Sequence, residues 1–376
     1  MSRCTKLIRQ LIENELEKRA INYEFKKIKD KRRQKIIKGQ SMSIEQKRKI
    51  DSFYKENYGK KIPYDWHREF TAFTGEFDHR YIPEFLFLPI IEKMFNDRNA
   101  SSTTSDKTLL PIFTNNLDYV YTPKIIACQT NELNLKFNNK LISFNELLKN
   151  IKNLGKCFIK PARDTNSGSG CKILNIIDGI DVISNKNISD IIKNYNNNFI
   201  IQELIENSES LKKLHPNSLN TFRVITYMLN NKINVAPVTL RIGSNGSSVD
   251  NAHSGGMFIH VVDNGKDAVL DKYAFTEFKD VFERHPITSI QFQNYKIFNF
   301  EKIIIAAKRL HEERFPMLGM VSFDLTLDRN ENAVLIEINS IGQTCWFPQE
   351  ASGEALFGDD TAQILQMTKE YRNRRK

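Results

Sequence analysis

The stretch GMVSFDLTLDRNENAVLIEIN, Gly319 to Asn339, decides how this chain reads. Val321, Phe323, Leu325 and Leu327 alternate with Ser322, Asp324 and Thr326, the period of two that a β-strand imposes. A second apolar run, Val334-Leu335-Ile336, leads into Glu337, and the polar turn DRNEN (328–332) separates the two. Folded as a hairpin, the pair sets a carboxylate on its first strand against a carboxylate and an amide at the end of its second. Asp324, Glu337 and Asn339 are all hard oxygen donors. Mg²⁺ keeps several waters and takes one or two carboxylates along with substrate phosphates, so the set predicts a metal–polyphosphate site rather than a closed Ca²⁺ cage. Taken alone, two acidic strand residues are more often simply solvated. Their neighbours along the chain change that reading.

Upstream of the hairpin, two arginines sit among apolar strand residues, Arg223 in SLNTFRVITYML and Arg241 in VAPVTLRIGSNG. An unpaired guanidinium there is costly, so each is expected to face a cleft or an anion, a structural ion pair being the plain alternative. Arg241 is followed by SSVDNAHSGG (247–256), which carries Asn251 and His253. Further upstream, the apolar run of FIIQELIENSES ends at Gln202 and Glu203, with Ile205 just beyond, the kind of strand-to-linker edge that can hold a base ring. In GKCFIKPARDTNSGSGCKIL a short strand delivers Lys160, and a loop containing Ser167, Gly168, Ser169 and Gly170 follows. Glycines let backbone N–H groups approach an anion, and lysine adds a mobile positive charge. The loop lacks P-loop spacing and is read as a lid. Asp106-Lys107 heads a helical run before the strand-like KIIAC.

In this order the motifs resemble the ATP-grasp fold: a DK-headed helix, an IKP strand with a Gly/Ser lid, a QEL hinge, an arginine before NAHSGG, and a D…EIN hairpin. The NAHSGG segment is similar to that of the glutamate ligases that modify ribosomal protein tails. Over roughly residues 45–365, including YKENYGKKIPYDWHREFTAFTGEFDHRYIP and HPNSLNTFRVIT, the chain more closely resembles the sugar-transfer-associated ATP-grasp proteins encoded with polysaccharide biosynthesis genes. The resemblance implies an α+β fold of two subdomains clasping ATP, preceded by a smaller N-terminal domain and a basic helical extension. It implies that Lys107 and Lys160 contact phosphate, that 167–170 cover the phosphates, and that Gln202, Glu203 and Ile205 border the adenine. Asp324, Glu337 and Asn339 would hold Mg²⁺, normally two ions, while Arg241, Arg223, Lys160 and Asn251 would serve phosphoryl transfer. The chain departs from many relatives at SIGQTCWFPQE, where they have a proline-glycine turn, which leaves the acceptor side undefined.

The activity so implied is ATP-dependent ligation of a carboxylate to an amine through an acylphosphate. A uronic acid of a capsular polysaccharide or other glycan would be the carboxylate donor and an amino acid or amine the acceptor. Addition of amino acids to a peptide or protein tail, and a non-catalytic nucleotide-binding regulator of a glycosyltransferase, are the competing readings.

Residues 1–50 hold sixteen Lys/Arg against six Asp/Glu, which accounts for the whole net charge of +10. Leu7, Ile8, Leu11, Ile12 and Leu16 recur at helical spacing, and KKIKDKRRQKIIK (26–38) reads as a basic, partly amphipathic helix. A solvated helix, contact with an anionic membrane surface or polysaccharide assembly, and contact with an acidic polymer all suit it. Beyond residue 50 there is no net positive charge and no nucleic-acid motif, so nucleic acid is not an expected partner. No apolar run approaches a bilayer span and charge interrupts the N-terminus early, which predicts a cytoplasmic protein, peripheral at the inner membrane face if the basic segment docks there. Five unclustered cysteines predict free thiols.

The expected organisation is a basic extension (1–42), a helical, aromatic-rich domain (43–105) and an ATP-grasp domain (106–370). Within the last, a lid subdomain occupies about 145–205 and a metal-binding subdomain about 206–370. Ser43 with Gln46 predicts a capping-box helix start. The aromatics between Ile62 and Pro89 are read as packing, and the polar run 96–106 as the connector.

Overall fold

Two antiparallel sheets take up the chain from Ile125 to Asn339, and helices cover their faces. The computed structural model describes residues 3–97, 100–101, 103–163, 170–244 and 256–375. The smaller sheet has eight strands, with Ile125–Gln129, Phe199–Gln202, Gly155–Lys160 and Lys172–Ile177 at its centre in that order. Helices Phe144–Ile151 and Ile188–Lys193 bury Leu147, Ile151, Ile188 and Ile192 against it. Ser143 and Glu146 close a capping box on the first of these, which satisfies helix N–H groups that would otherwise be orphaned. This sheet begins at Ile125, earlier than the 145 expected for the lid.

Among the described residues the larger sheet has nine strands, and Val238–Ile242, Thr221–Leu229, Met320–Leu327 and Ala333–Asn339 lie side by side in it, the last at the end of the strand order. Val321, Phe323, Leu325 and Leu327 share one face, packed with Leu310 and Ile303 of helix Glu301–Arg314. The alternation is therefore real, but every residue of Met320–Leu327 is buried, because the opposite face is covered as well. That cover is mixed: Met320 joins a core in which Trp66, Phe70, Tyr81 and Leu86 of the N-terminal region meet Tyr227, Phe258, Phe275 and Trp346, while Asp324 lies under Arg223 and Arg241 and Thr326 is held by Asn207 and Asn220. The expected boundary at 96–106 is crossed by this packing. Asn96 donates from Nδ2 to the carbonyls of Met320 and Ser340 at 2.8 Å each, tying that polar run to both strands of the acidic hairpin.

The described chain opens on α1 (Arg3–Lys27), α2 (Lys31–Gly39), α3 (Ile44–Asn57) and α4 (Asp65–Thr74), and shorter helical turns lead from these to the first strand. The capping box of Ser43 and Gln46 forms as expected. The basic run 26–38 is not one helix. Asp30 interrupts it and caps α2 by accepting from Arg32 N, since a short carboxylate competes well for the free N–H groups of a new helix start. Among the described residues no helix is long and apolar enough to cross a membrane.

The extension is fastened to the body by buried charge. Arg33 of α2 reaches Glu84 at 2.9 Å, Glu69 at 3.4 Å and Glu277 at 3.9 Å, while Lys27 of α1 reaches Glu84 at 2.9 Å and Glu24 at 3.0 Å. Acids outnumber cations here, and Glu350 brings another buried carboxyl nearby whose Oε2 has no partner. Burial pushes Glu69 up to about 7, with Arg33 opposing the shift and Glu84 adding to it. A carboxyl raised in this way binds more protons folded than unfolded, so its contribution to stability declines as pH climbs from about 4.5 through 7. Glu69→Gln is expected to flatten that decline, read as the difference in melting temperature between pH 5 and pH 8. An equally steep decline in the variant would show that Glu69 is already ionised in the native state.

Candidate active site

Register alone brings the acidic and basic groups together. Asp324 lies directly opposite Arg223 on one neighbouring strand and opposite Glu337 on the other, and Ser322 lies opposite Asn339. Arg223 Nε donates to Asp324 Oδ1 at 2.5 Å, and Arg241 Nη2, one strand further over, donates to Oδ2 at 2.9 Å. Arg241 is aimed by Thr221, whose Oγ1 accepts from its Nη2 at 2.7 Å. Burial opposes ionisation of Asp324, yet the two guanidinium groups outweigh it and hold the carboxyl below its usual range. The arginines thus face an anion, as their sequence setting predicts.

The smaller sheet contributes from across a cleft. Lys160, only 4% exposed at the end of strand Gly155–Lys160, and Lys107, just after the capping Asp106, meet the hairpin there, and Lys107 Nζ lies 3.1 Å from Glu337. Burial lowers Lys160 to about 8, Glu337 partly offsetting the effect and Lys107 reinforcing it. The two lysine segments are bolted together. Lys107 N donates to Ala162 O at 3.0 Å, and Asp106 accepts from Arg163 Nε at 2.8 Å and from Thr108 N at 2.9 Å.

Between the sheets lies a cavity of about 750 Å³, within the range of small-molecule sites. Lys107, Lys160, Gln202, Glu203, Ile205, Arg223, Arg241, Asp324, Glu337 and Asn339 all line it. These residues come from segments far apart in sequence. Glu203 also closes the hinge: its N–H donates to Lys124 O at 3.0 Å and its Oε1 accepts from Lys124 N at 2.9 Å. Gly170 is not part of the wall; it rests against Pro161, and its carbonyl accepts from Tyr195 Oη at 2.5 Å. Ser167, Gly168, Ser169, Asn251 and His253 lie outside the described residues.

Some lining residues were not singled out from the sequence, among them Phe158, Leu204, Lys212, Asn217, Thr344 and Phe347. Nothing in their local pattern distinguishes them from packing residues. HPNSLN, noted above only through resemblance, acquires a physical role here. His215 Nδ1 pairs with Ser218 Oγ at 2.7 Å, Ser218 Oγ donates to Asn220 Oδ1 at 3.1 Å, and Asn220 N donates to Asn207 Oδ1 at 2.8 Å, which stiffens the wall formed by 216–219. Gly243 packs against this knot so closely that an added Cβ would land on Ser218 Oγ and come within 2.6 Å of His215 Nδ1. Gly243→Ala is therefore expected to cost about 1–3 kcal/mol and to weaken nucleotide binding by displacing that wall. Thermal unfolding and calorimetric titration would read the two effects, and an unchanged melting temperature would count against the close approach.

The donor set suits Mg²⁺ with polyphosphate. Asp324 and Glu337 are adjacent hard carboxylates whose present counter-ions are side-chain cations, and Asn339 supplies a neutral oxygen beside them. A bound polyphosphate would offer Lys107, Lys160 and Arg241 another anion, which would free Glu337 and leave Arg223 as the remaining partner of Asp324.

A cleft between two antiparallel sheets, with lysines on one lip and an acidic hairpin on the other, is the architecture of a nucleotide-clasping α+β protein. The profile of the sugar-transfer associated ATP-grasp family matches residues 90–365, and the chain belongs to that family. No curated protein sequence matches it. Among solved structures it is similar to D-alanyl-alanine synthetase A from Vibrio cholerae O1 biovar eltor str. N16961, at 13% identity and a TM-score of 0.40, covering 72% of this chain and 65% of that one. It is also similar to the VanG D-Ala:D-Ser ligase from Enterococcus faecalis (14% identity, TM-score 0.40, 72% and 62% covered). A third is the L-amino acid ligase from Bacillus licheniformis (9%, 0.37, 72% and 49%). The chain thus spans less than two thirds of the length of each.

Proposed function

We propose that this protein is an ATP-dependent carboxylate–amine ligase that works through an acylphosphate, with a uronic acid of a surface polysaccharide or other glycan as carboxylate donor. The observation that carries the reading is the convergence of Lys107 and Lys160 with Asp324, Glu337 and Asn339 on one cavity, with Arg223 and Arg241 beside them. The hinge residues Gln202, Glu203 and Ile205, with Phe158 and Ile173, give that cavity a partly apolar end for a base ring. Lys107 and Lys160 would hold the phosphates and Asp324, Glu337 and Asn339 the Mg²⁺, which together with ATP would supply an electrophilic phosphoryl group.

The remaining work is electrostatic. Arg241, aimed by Thr221, and Lys160 face the charge that spreads over a phosphoryl group in transfer, and a partly buried setting makes such groups worth more than in water. Closing the cleft keeps water from an acylphosphate that would otherwise hydrolyse. No residue is required as a covalent nucleophile. The cysteine on the wall, Cys171, is unsuited to that role in a mechanism where the acceptor amine itself attacks the acyl carbon.

The glycan part follows the family's description and is tested by substrate. ADP release would be screened with Mg²⁺-ATP, uronate oligosaccharides or short peptides as carboxylates, and amino acids or simple amines, with products identified by mass. An amide on a uronate supports the reading. Turnover with peptides alone would replace the glycan by a peptide tail, and nucleotide binding without turnover on any acceptor would make the protein a regulator.

A further inference from the structure

The tertiary structure sorts the charges of the N-terminal segment. Three of the four acids of α1 lie on its body-facing side and are paired: Glu13 with Arg375 at 2.8 Å, Glu17 with Arg372 at 3.4 Å, and Glu24 with Lys27 at 3.0 Å. Arg372 belongs to helix Thr361–Asn373 and Arg375 follows it, so this segment neutralises Glu13 and Glu17. Lys18, Arg19, Lys26, Lys31, Lys35 and Lys38 remain exposed. From residue 8 to 40, among the described residues, Glu15 is the one exposed acid, and it is paired with Arg19. The outward surface of α1 and α2 is thus far more cationic than the sequence count suggests.

The same outward side of α1 is greasy. Ile8, Leu11, Ile12 and Leu16 stand at i, i+3, i+4 and i+8, a single helical stripe, and are 43–60% exposed. With 100° per residue, this stripe lies away from Glu13, Glu17 and Glu24, which face the body, and it includes the exposed ion pair of Glu15 and Arg19 at 3.2 Å. Tyr23, two turns on, is also exposed.

We infer that α1 docks in the interface of an anionic lipid bilayer, with Ile8, Leu11, Ile12 and Leu16 buried among the acyl chains and the cations of α1 and α2 at the headgroups. An interfacial helix needs both signals, an apolar face and basic residues, and this one presents both, with Glu13, Glu17 and Glu24 neutralised from behind and Glu15 neutralised on the outer face by Arg19. A second copy of the chain fits less well. Twofold pairing through the stripe would bring like-charged Lys18 and Arg19 rims together and bury only four aliphatic side chains. A nucleic acid would engage the cations but leave the aliphatic stripe in water.

The test is co-sedimentation of the full chain with phosphatidylcholine vesicles, with and without about one third phosphatidylglycerol. Binding should be at least about tenfold stronger to the anionic vesicles and should weaken in high salt. The triple variant I8S/I12S/L16S should lose about tenfold in binding while its melting temperature is unchanged, because none of its substituted residues is packed in the core. Equal binding to neutral vesicles, no binding, or unaltered binding by the triple variant would each overturn the inference. So would a concentration-dependent dimer, seen by light scattering, that the same variant abolishes. None of these outcomes bears on ADP release, so this inference and the ligase reading fail separately.

Discussion

Glu337→Gln is expected to lower ATP-dependent turnover by about a hundredfold or more while leaving the fold intact. Glu337 is about one-third exposed, lies opposite Asp324 across the hairpin and stands 3.1 Å from Lys107. The substitution keeps the shape and removes one of the two carboxylates that would hold Mg²⁺. Loss of a group that only helps a metal ligand commonly costs 10–100-fold in affinity or activity, so loss of a ligand itself should cost at least the upper figure. Raising Mg²⁺ should restore part of the rate if the defect is metal affinity. Lys160→Ala should instead weaken nucleotide binding with no rescue by metal, because the missing group is a buried cation on the cavity wall, where the proposed reading places the phosphates. Undiminished turnover by Glu337→Gln would remove the hairpin from the reaction.

Arg33→Met should produce the largest loss of stability of any single substitution considered, about 3–5 kcal/mol. The guanidinium is 5% exposed and is the cation on which Glu69, Glu84 and Glu277 converge. Burial disfavours the charge of Arg33 itself, but the surrounding carboxylates overcome that and hold it firmly protonated. Removing it strands Glu84, which Lys27 then serves alone, and leaves Glu69 and Glu350 to take up protons. Urea unfolding would measure the loss, and it should shrink at low pH, where the stranded acids are neutral. The double variant Arg33→Met/Glu84→Gln should recover part of it, since replacing both partners avoids an uncompensated buried charge. A loss below about 1 kcal/mol would mean that the cluster is hydrated, as surface pairs are. The same contacts imply that removing residues 1–42 would unsettle the body and not merely shorten the chain.

Much of the hairpin was legible because strand geometry is local. A period of two puts Asp324 on the face opposite Val321 and Phe323, and a short polar turn places Glu337 across from it. The arginines were legible through cost, since a guanidinium in an apolar strand must find an anion; that the anion is Asp324 itself was not visible, because it depends on which strands become neighbours. The burial of Met320–Leu327 on both faces followed the same course. Alternation predicts one covered face; the other is covered in pieces that only the fold brings together, Met320 by the N-terminal core, Asp324 by the two arginines and Thr326 by Asn207 and Asn220.

By itself, then, the chain's order of residues determined the local elements and the chemistry they carry: a capping box at Ser43, an acidic hairpin, lysines at the ends of short segments, and a basic N-terminus. Tertiary structure decided what those elements meet. It joined segments from Lys107 to Phe347 around one cavity, made HPNSLN a brace through Gly243, and turned Glu13, Glu17 and Glu24 of α1 toward partners on the body side, which leaves the outer surface predominantly cationic and apolar. The physical reason is range. Backbone periodicity and capping act over a few residues, whereas ion pairing and burial depend on distances in space that chain connectivity does not specify.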